Sequence, residues 1–287
     1  NRFRSCTCLS VIACAACWKR HSFQVNGYEK GENVMQMVPA EEQKISLLNT
    51  RFTNIDKQQL LNHTVQWCKE RRQATLVFLN VDVVMKLEKD AELRRIVEKA
   101  EFALADGMPL IWISHLFGKP LKEKISGSDF VPELCNRAAR EGLKLFLLGG
   151  AGDTAQKAKE ALEKKFPKIR IVGTYSPPFG FEKNPQETEA MNEAVYHAHP
   201  DILIVCLGCP KQEKYIAANR EKYGVPISIC AGATIDFLAG NVKRCPGWMS
   251  RCGLEWFYRF TREPKRLFRR YFIDDIQILR LILKYRD

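Results

Sequence analysis

The stretch 201-DILIVCLGCPKQEKYIAANREKY-223 decides the architecture. Its first part, Asp201–Leu207, is a nearly continuous apolar run, the pattern of a parallel strand buried on both faces rather than one that alternates with solvent. Gly208-Cys209-Pro210 interrupts the run, and Gln212–Tyr223 reads as a helix. The same strand–loop–helix unit recurs outward in both directions. Strands are predicted at Thr75–Asn80, Phe102–Ala105, Lys144–Leu148, Arg170–Thr174 and Pro226–Cys230, several of them apolar runs such as LFLL. Helices are predicted between them at Lys57–Arg71, Glu92–Lys99, Pro109–Phe117, Phe130–Glu141, Thr154–Phe166 and Glu187–Ala198. This rhythm specifies an α/β fold, an open and mostly parallel sheet flanked by helices.

Composition narrows the class. In 287 residues, 46% are hydrophobic with only 13 Pro and 17 Gly, which fits a globular chain rather than a disordered one. No run reaches the roughly 18 to 20 apolar residues a spanning helix needs. The net charge of +12 calls for an anionic partner. No nucleic-acid reading motif accompanies it, so nucleic acid is not expected. Of the eleven cysteines, Cys68, Cys135, Cys206 and Cys230 fall in apolar helix or strand patterns and read as small buried hydrophobes in a reducing, cytoplasmic compartment. Two C-x-x-C pairs, Cys14/Cys17 and Cys206/Cys209, lack a second Cys/His pair at zinc spacing.

Ligands of open α/β sheets bind where the strand carboxyl ends converge, so those ends hold the candidate residues. After the first strand comes Asn80, and after the second Asp106-Gly107. Asp106 is either a cleft carboxylate able to take a proton from a hydroxyl or the N-cap of the helix beyond it. After the third strand, Gly149-Gly150-Ala151-Gly152-Asp153 either cradles a diphosphate on backbone amides or forms a tight turn capped by Asp153. Ser126-Gly127-Ser128-Asp129 offers the same pair of readings, a helix cap or an anion nest. Lys211 is placed to contact phosphate, while Gln212 and Glu213 open their helix with paired donors and acceptors suited to a sugar hydroxyl or a uracil edge.

The ends of the chain differ from its middle. Residues 1 to about 36 begin with Arg2 and Arg4 ahead of the apolar Ser5–Trp18, a superficial signal-sequence pattern. The preferred reading is a start at Met35 or Met37, leaving 37–250 as the α/β domain. Residues 251–287 hold ten Lys and Arg against five Asp and Glu. Leu254, Phe257, Tyr258, Phe268, Tyr271, Phe272, Ile276, Leu279 and Leu283 recur there at helical spacing, with Pro264 between two helices. An apolar side beside a dense cationic one describes a helix lying on an anionic membrane surface, or one packed on the domain with its Arg stems snorkelling.

In this order, LNVDVV (79–84), ADGMPLIW (105–112), KISGSD (124–129), FLLGG (146–150), LGCPKQE (207–213), AGATIDFLAG (231–240) and KRCPGWMSRCGLEWFYRFTREPKRLFRRY (243–271) resemble the WecG/TagA/CpsF glycosyltransferases. The resemblance implies an inverting, metal-independent transfer from a UDP-sugar, N-acetylmannosamine or a relative, to a polyprenyl-diphosphate-linked acceptor in cell-surface polysaccharide or teichoic acid biosynthesis. It implies a peripheral location on the inner face of the cell membrane, with no cofactor, and it is compatible with a homo-oligomer. By motif, Asp106 is the expected general base, and Asn80, Lys124, Gln212, Gly149 and Gly150 are expected to bind substrate. Arg259, Arg266 and Arg269 are expected to meet the nucleotide diphosphate. Lys124 stands where family members often carry Arg, and Phe78 where they commonly carry Thr. The absence of a D-x-D at a strand end agrees with chemistry that needs no cation. Two rivals remain, an NAD-dependent oxidoreductase on a Rossmann-like sheet and a non-catalytic membrane-recruited nucleotide-sugar-binding protein. The first is weakened by the missing G-x-G-x-x-G.

Overall fold

A computed structural model describes residues 44–246, 249 and 254–286, and only the backbone of Arg266, Arg270 and Phe272. The expectations for residues 1–36, including Cys14/Cys17, lie outside the described residues. Six parallel strands, β3 (Ala74–Leu79) to β8 (Ile227–Cys230), form one sheet in the order β4-β3-β8-β7-β5-β6, where β4 is Phe102–Ala105, β5 Lys144–Gly149, β6 Arg170–Tyr175 and β7 Ile202–Cys206. All six match the predicted strands to within a residue or two. β7 and β8 are buried along their whole length, as their unbroken apolar sequences require.

Helices cover both faces. α1 (Lys57–Lys69), α5 (Gly127–Glu141) and α6 (Thr154–Lys165) share one apolar layer with Leu76, Leu147, Ile204 and Ile229 of the sheet. α2 (Val81–Lys89), α3 (Ala91–Lys99), α4 (Met108–Leu116), α7 (Pro185–Ala198) and α8 (Lys211–Tyr223) share the other with Val77, Leu148, Val205 and Cys230. Cys68, Cys135, Cys206 and Cys230 are buried free thiols in these layers.

A hairpin ahead of α1, and helix α2, were among the elements not anticipated. β1 (Lys44–Leu47) and β2 (Thr50–Thr53) make a hairpin whose turn has Leu48 at φ +54, a position that favours glycine. Tertiary bonds hold it: the Asn49 amide donates to Val84 O and Glu88, each at 3.0 Å. α2 starts on Val81-Asp82-Val83-Val84, a β-branched run that reads locally as strand. Its cap decides otherwise, because the Asn80 side chain accepts from Val83 N at 3.0 Å.

The C-terminal region forms α10 (Glu255–Arg262), α11 (Pro264–Arg269) and, after a π-helical and a 3₁₀ turn, α12 (Ile278–Lys284), all following the short α9 (Thr234–Leu238). The break falls at Glu263, just before Pro264, as predicted. Leu267 and Leu281 are buried, and Lys284 and Tyr285 bond to Glu88 of α2. Phe257, Phe268, Ile276, Leu279 and Leu283 stay exposed. The region therefore docks on the α/β domain, one of the two readings the sequence left open, and leaves these apolar side chains uncovered.

Candidate active site

Strand β4 sits at the sheet edge and delivers Asp106. The Asp106 N–H donates to Leu79 O at 2.8 Å, extending the ladder one residue past the strand. Gly107, at φ +134, then turns the chain into α4 and serves as that helix's N-cap without any side-chain bond. The capping alternative for Asp106 is thereby excluded. Its carboxyl instead lines a cavity of about 430 Å³ together with Asn80, Lys124, Glu255, Trp256 and Arg259.

The electrostatics of this cavity are mixed. Burial pushes the Asp106 pKa up to about 6; Arg259 and Lys124 pull it down, while Glu255 and Asp129 push it further up. Arg259 pairs with Glu255 at 2.7 Å and stacks over the Phe237 ring at 5.2 Å. Lys124 pairs with Asp129 at 2.9 Å. Burial works against the Lys124 charge, but Asp129 and Asp106 outweigh it and raise its pKa, so it stays protonated. Burial would likewise raise the Asp129 carboxyl, yet bonds from Ser126, Arg244 and Lys124 hold it well below the usual carboxylate range. The cavity thus holds a carboxyl whose pKa is raised to about 6, with two cations near enough to act on it.

Other candidate residues lie elsewhere. Ser126 caps α5 by accepting from Asp129 N, and its Oγ donates to the Asp129 carboxylate at 2.6 Å, with Arg244 bonded to the same carboxylate. Asp153 stands at the N-cap position of α6 without a side-chain cap bond, and its carboxylate pairs with Lys157 at 3.0 Å. Gly149 and Gly150 do not line the cavity. A Cβ on Gly149, at φ +118, would lie 2.3 Å from Cys206 O, and one on Gly150 would lie 2.8 Å from Thr154 Cβ. These glycines let β5 approach β7 and α6. Four strand positions separate β5 from β4, roughly 19 Å across the sheet.

Gln212 is 4% exposed and also lies off the cavity. Its amide donates to Glu213 at 2.8 Å and accepts from Gly232 N at 3.0 Å, tying the β7 loop to the β8 loop. Lys211 pairs with Glu182 at 2.8 Å. Arg269 is exposed, 4.0 Å from Asp274, and does not reach the cavity; the Arg266 side chain lies outside the described residues. Phe78 packs in the core against Phe130, where a hydroxyl would find no solvent. Burial pushes the Cys206 thiol up to about 12 and raises Cys209 further, so this pair supplies no thiolate.

The sequence reading missed Glu255 and Asp275. Glu255 and Asp275 line the cavity from the C-terminal region. Glu213 is 2% exposed with its pKa raised by burial, and its Oε2 has no hydrogen-bond partner. An acid inside an otherwise basic, aromatic block was the available signal for Glu255.

A parallel α/β sheet with a carboxylate and two cations at one strand-end cavity suits group transfer, and the family whose model the chain matches makes it a glycosyltransferase. It belongs to the glycosyl transferase WecG/TagA/CpsF family, whose model matches residues 45–287. It is also similar to an N-acetylglucosaminyldiphosphoundecaprenol N-acetyl-beta-D-mannosaminyltransferase of Bacillus subtilis (strain 168), 32% identical over 193 residues, which cover 67% of this chain and 73% of the relative. Membership sets aside the oxidoreductase alternative. No helix among the described residues is long and apolar enough to cross a membrane.

Proposed function

We propose that the chain moves N-acetylmannosamine, or a closely related sugar, from a UDP-sugar to a polyprenyl-diphosphate-linked acceptor sugar, with inversion and without a divalent cation, in cell-surface polysaccharide biosynthesis. The observation that carries this reading is the meeting of Asp106, Arg259 and Lys124 at one cavity. Asp106 takes the proton of an acceptor hydroxyl. The resulting oxygen nucleophile forms a bond to the anomeric carbon of the donor on the face opposite UDP. The bond to the diphosphate breaks, and its electron pair leaves on a phosphate oxygen. Arg259 and Lys124 stabilise that charge, the part a metal ion plays in other transferases. Arg269 joins them only by swinging away from Asp274, and Gln212 acts by holding the loops that frame the cleft. The work takes place at the inner face of the cell membrane, with the exposed apolar and cationic side of α10–α12 against anionic lipid.

The test is release of UDP from UDP-N-acetylmannosamine by purified protein, with a lipid-diphosphate-linked N-acetylglucosamine acceptor and EDTA present. Acceptor-dependent release is expected. Release restored only by added divalent cation would overturn the metal-independent part. UDP binding without turnover across a panel of acceptors would leave a nucleotide-sugar-binding protein.

A further inference from the structure

Helix α4 is unlike the other outer helices. Its sequence MPLIWISHL contains only Ser114 and His115 as polar residues. Leu110, Ile113 and Ser114 face inward and are buried. An outer helix of an α/β domain should then turn a polar side to water, as α6 does with Gln156, Lys157, Glu160 and Glu163. On α4 that side carries Trp112, 56% exposed, and Leu116, 64% exposed. Just beyond its C-terminus, Lys119 and Lys122 are exposed as well.

We propose that this face, Trp112 and Leu116 with Lys119 and Lys122 behind them, is a second membrane-contacting surface that engages anionic lipid in addition to α10–α12. The position supports it. Met108 and Pro109, at the N-terminal end of α4, line the same cavity as Trp256 and Ile276. Trp112 and Leu116 follow one and two turns further on, about 6 and 12 Å along the axis from Met108. Exposed apolar side chains from both α4 and the C-terminal region are therefore near the cavity, since Trp256 and Ile276 are themselves 41% and 54% exposed. The chemistry supports it too. An indole belongs at the headgroup boundary, and a lysine pair next to apolar groups is attracted by anionic headgroups. Two-point seating would fix the tilt of the domain, so that a diphosphate held at headgroup level meets Asp106 rather than the outside of the sheet. The inference rests on the membrane-bound acceptor proposed above.

The experiment is partition of the full chain onto phosphatidylglycerol–phosphatidylcholine vesicles, with turnover on a short-carrier, water-soluble acceptor measured in parallel. Trp112→Ser/Leu116→Ser should weaken partition at least about tenfold and leave soluble-acceptor turnover unchanged. Lys119→Glu/Lys122→Glu should weaken it on anionic vesicles alone. Unchanged partition for both variants, while Leu279→Ser/Leu283→Ser loses it, would overturn the proposal and leave α10–α12 as the sole contact. Conversion of a dimer to a monomer by Trp112→Ser/Leu116→Ser, with partition unchanged, would overturn it in favour of a second copy of the chain. Vesicle binding that needs Trp112 in a protein inert on every acceptor would uphold this surface and reject the proposed transfer; turnover without any vesicle binding would do the reverse.

Discussion

The ends of β4 and β5 present similar sequence, a small-residue turn into a helix beside a carboxylate, yet they do different things. At β5, Gly149 is pressed against the Cys206 carbonyl and Asp153 pairs with Lys157 on the surface. At β4, Gly107 meets nothing closer than the Pro109 ring at 3.6 Å, and Asp106 faces a cavity whose other wall comes from α10. Glycine at a strand end records a close approach, and the approaching atoms are as readily another strand as a ligand. What marks the β4 end is a carboxyl with no cap to close, set between Arg259 and Lys124.

That contrast can be tested at both ends. Arg259→Ala removes a cation held against the cavity and should lower turnover about 10²–10³-fold with folding intact, read by UDP release; a normal rate would move the diphosphate away from α10. Gly149→Ala should destabilise the fold by about 3 kcal/mol or more, because the new Cβ meets backbone, whereas Gly152→Ala, with open space around it, should cost only about 1 kcal/mol. Denaturant midpoints of the two variants check this, and equal losses would mean that the β5 end is looser than its contacts imply. The pH profile should sharpen the β4 side. Since Asp106 must be ionised to accept a proton and its pKa is raised to about 6, kcat/KM should be flat above that pH and fall tenfold per unit below it.

Much of the fold was legible because the parallel strands are buried on both faces, and a run such as Ile202–Cys206 has no other reading. α2 was not, because its β-branched start is overruled by the Asn80 cap, and the β1–β2 turn was not, because Asn49 is held by Val84 and Glu88 far along the chain. The site was half legible. Asp106, Asn80, Lys124 and Arg259 do converge. Gly149, Gly150 and Gln212 lie apart from that group, where their contacts are the close approach of β5 to β7 and the bond from Gly232 N. Glu255 and Asp275 became visible only when α10 and the turns after α11 folded back over the strand ends.

The central claim is that the chemistry sits at the β4 end with Asp106 as base. Asp106→Asn tests it most directly, through acceptor-dependent UDP release at pH 7.5 alongside the thermal midpoint. A carboxyl whose pKa rises from 3.8 to about 6 on folding binds more protons folded than unfolded. Its ionisation therefore weakens the fold as pH rises through that window, and the neutral amide relieves this. The account predicts a thermal midpoint at or above that of the parent chain, with turnover lower by about 10²-fold or more. Near-normal turnover in a folded Asp106→Asn protein would contradict it and place the base elsewhere.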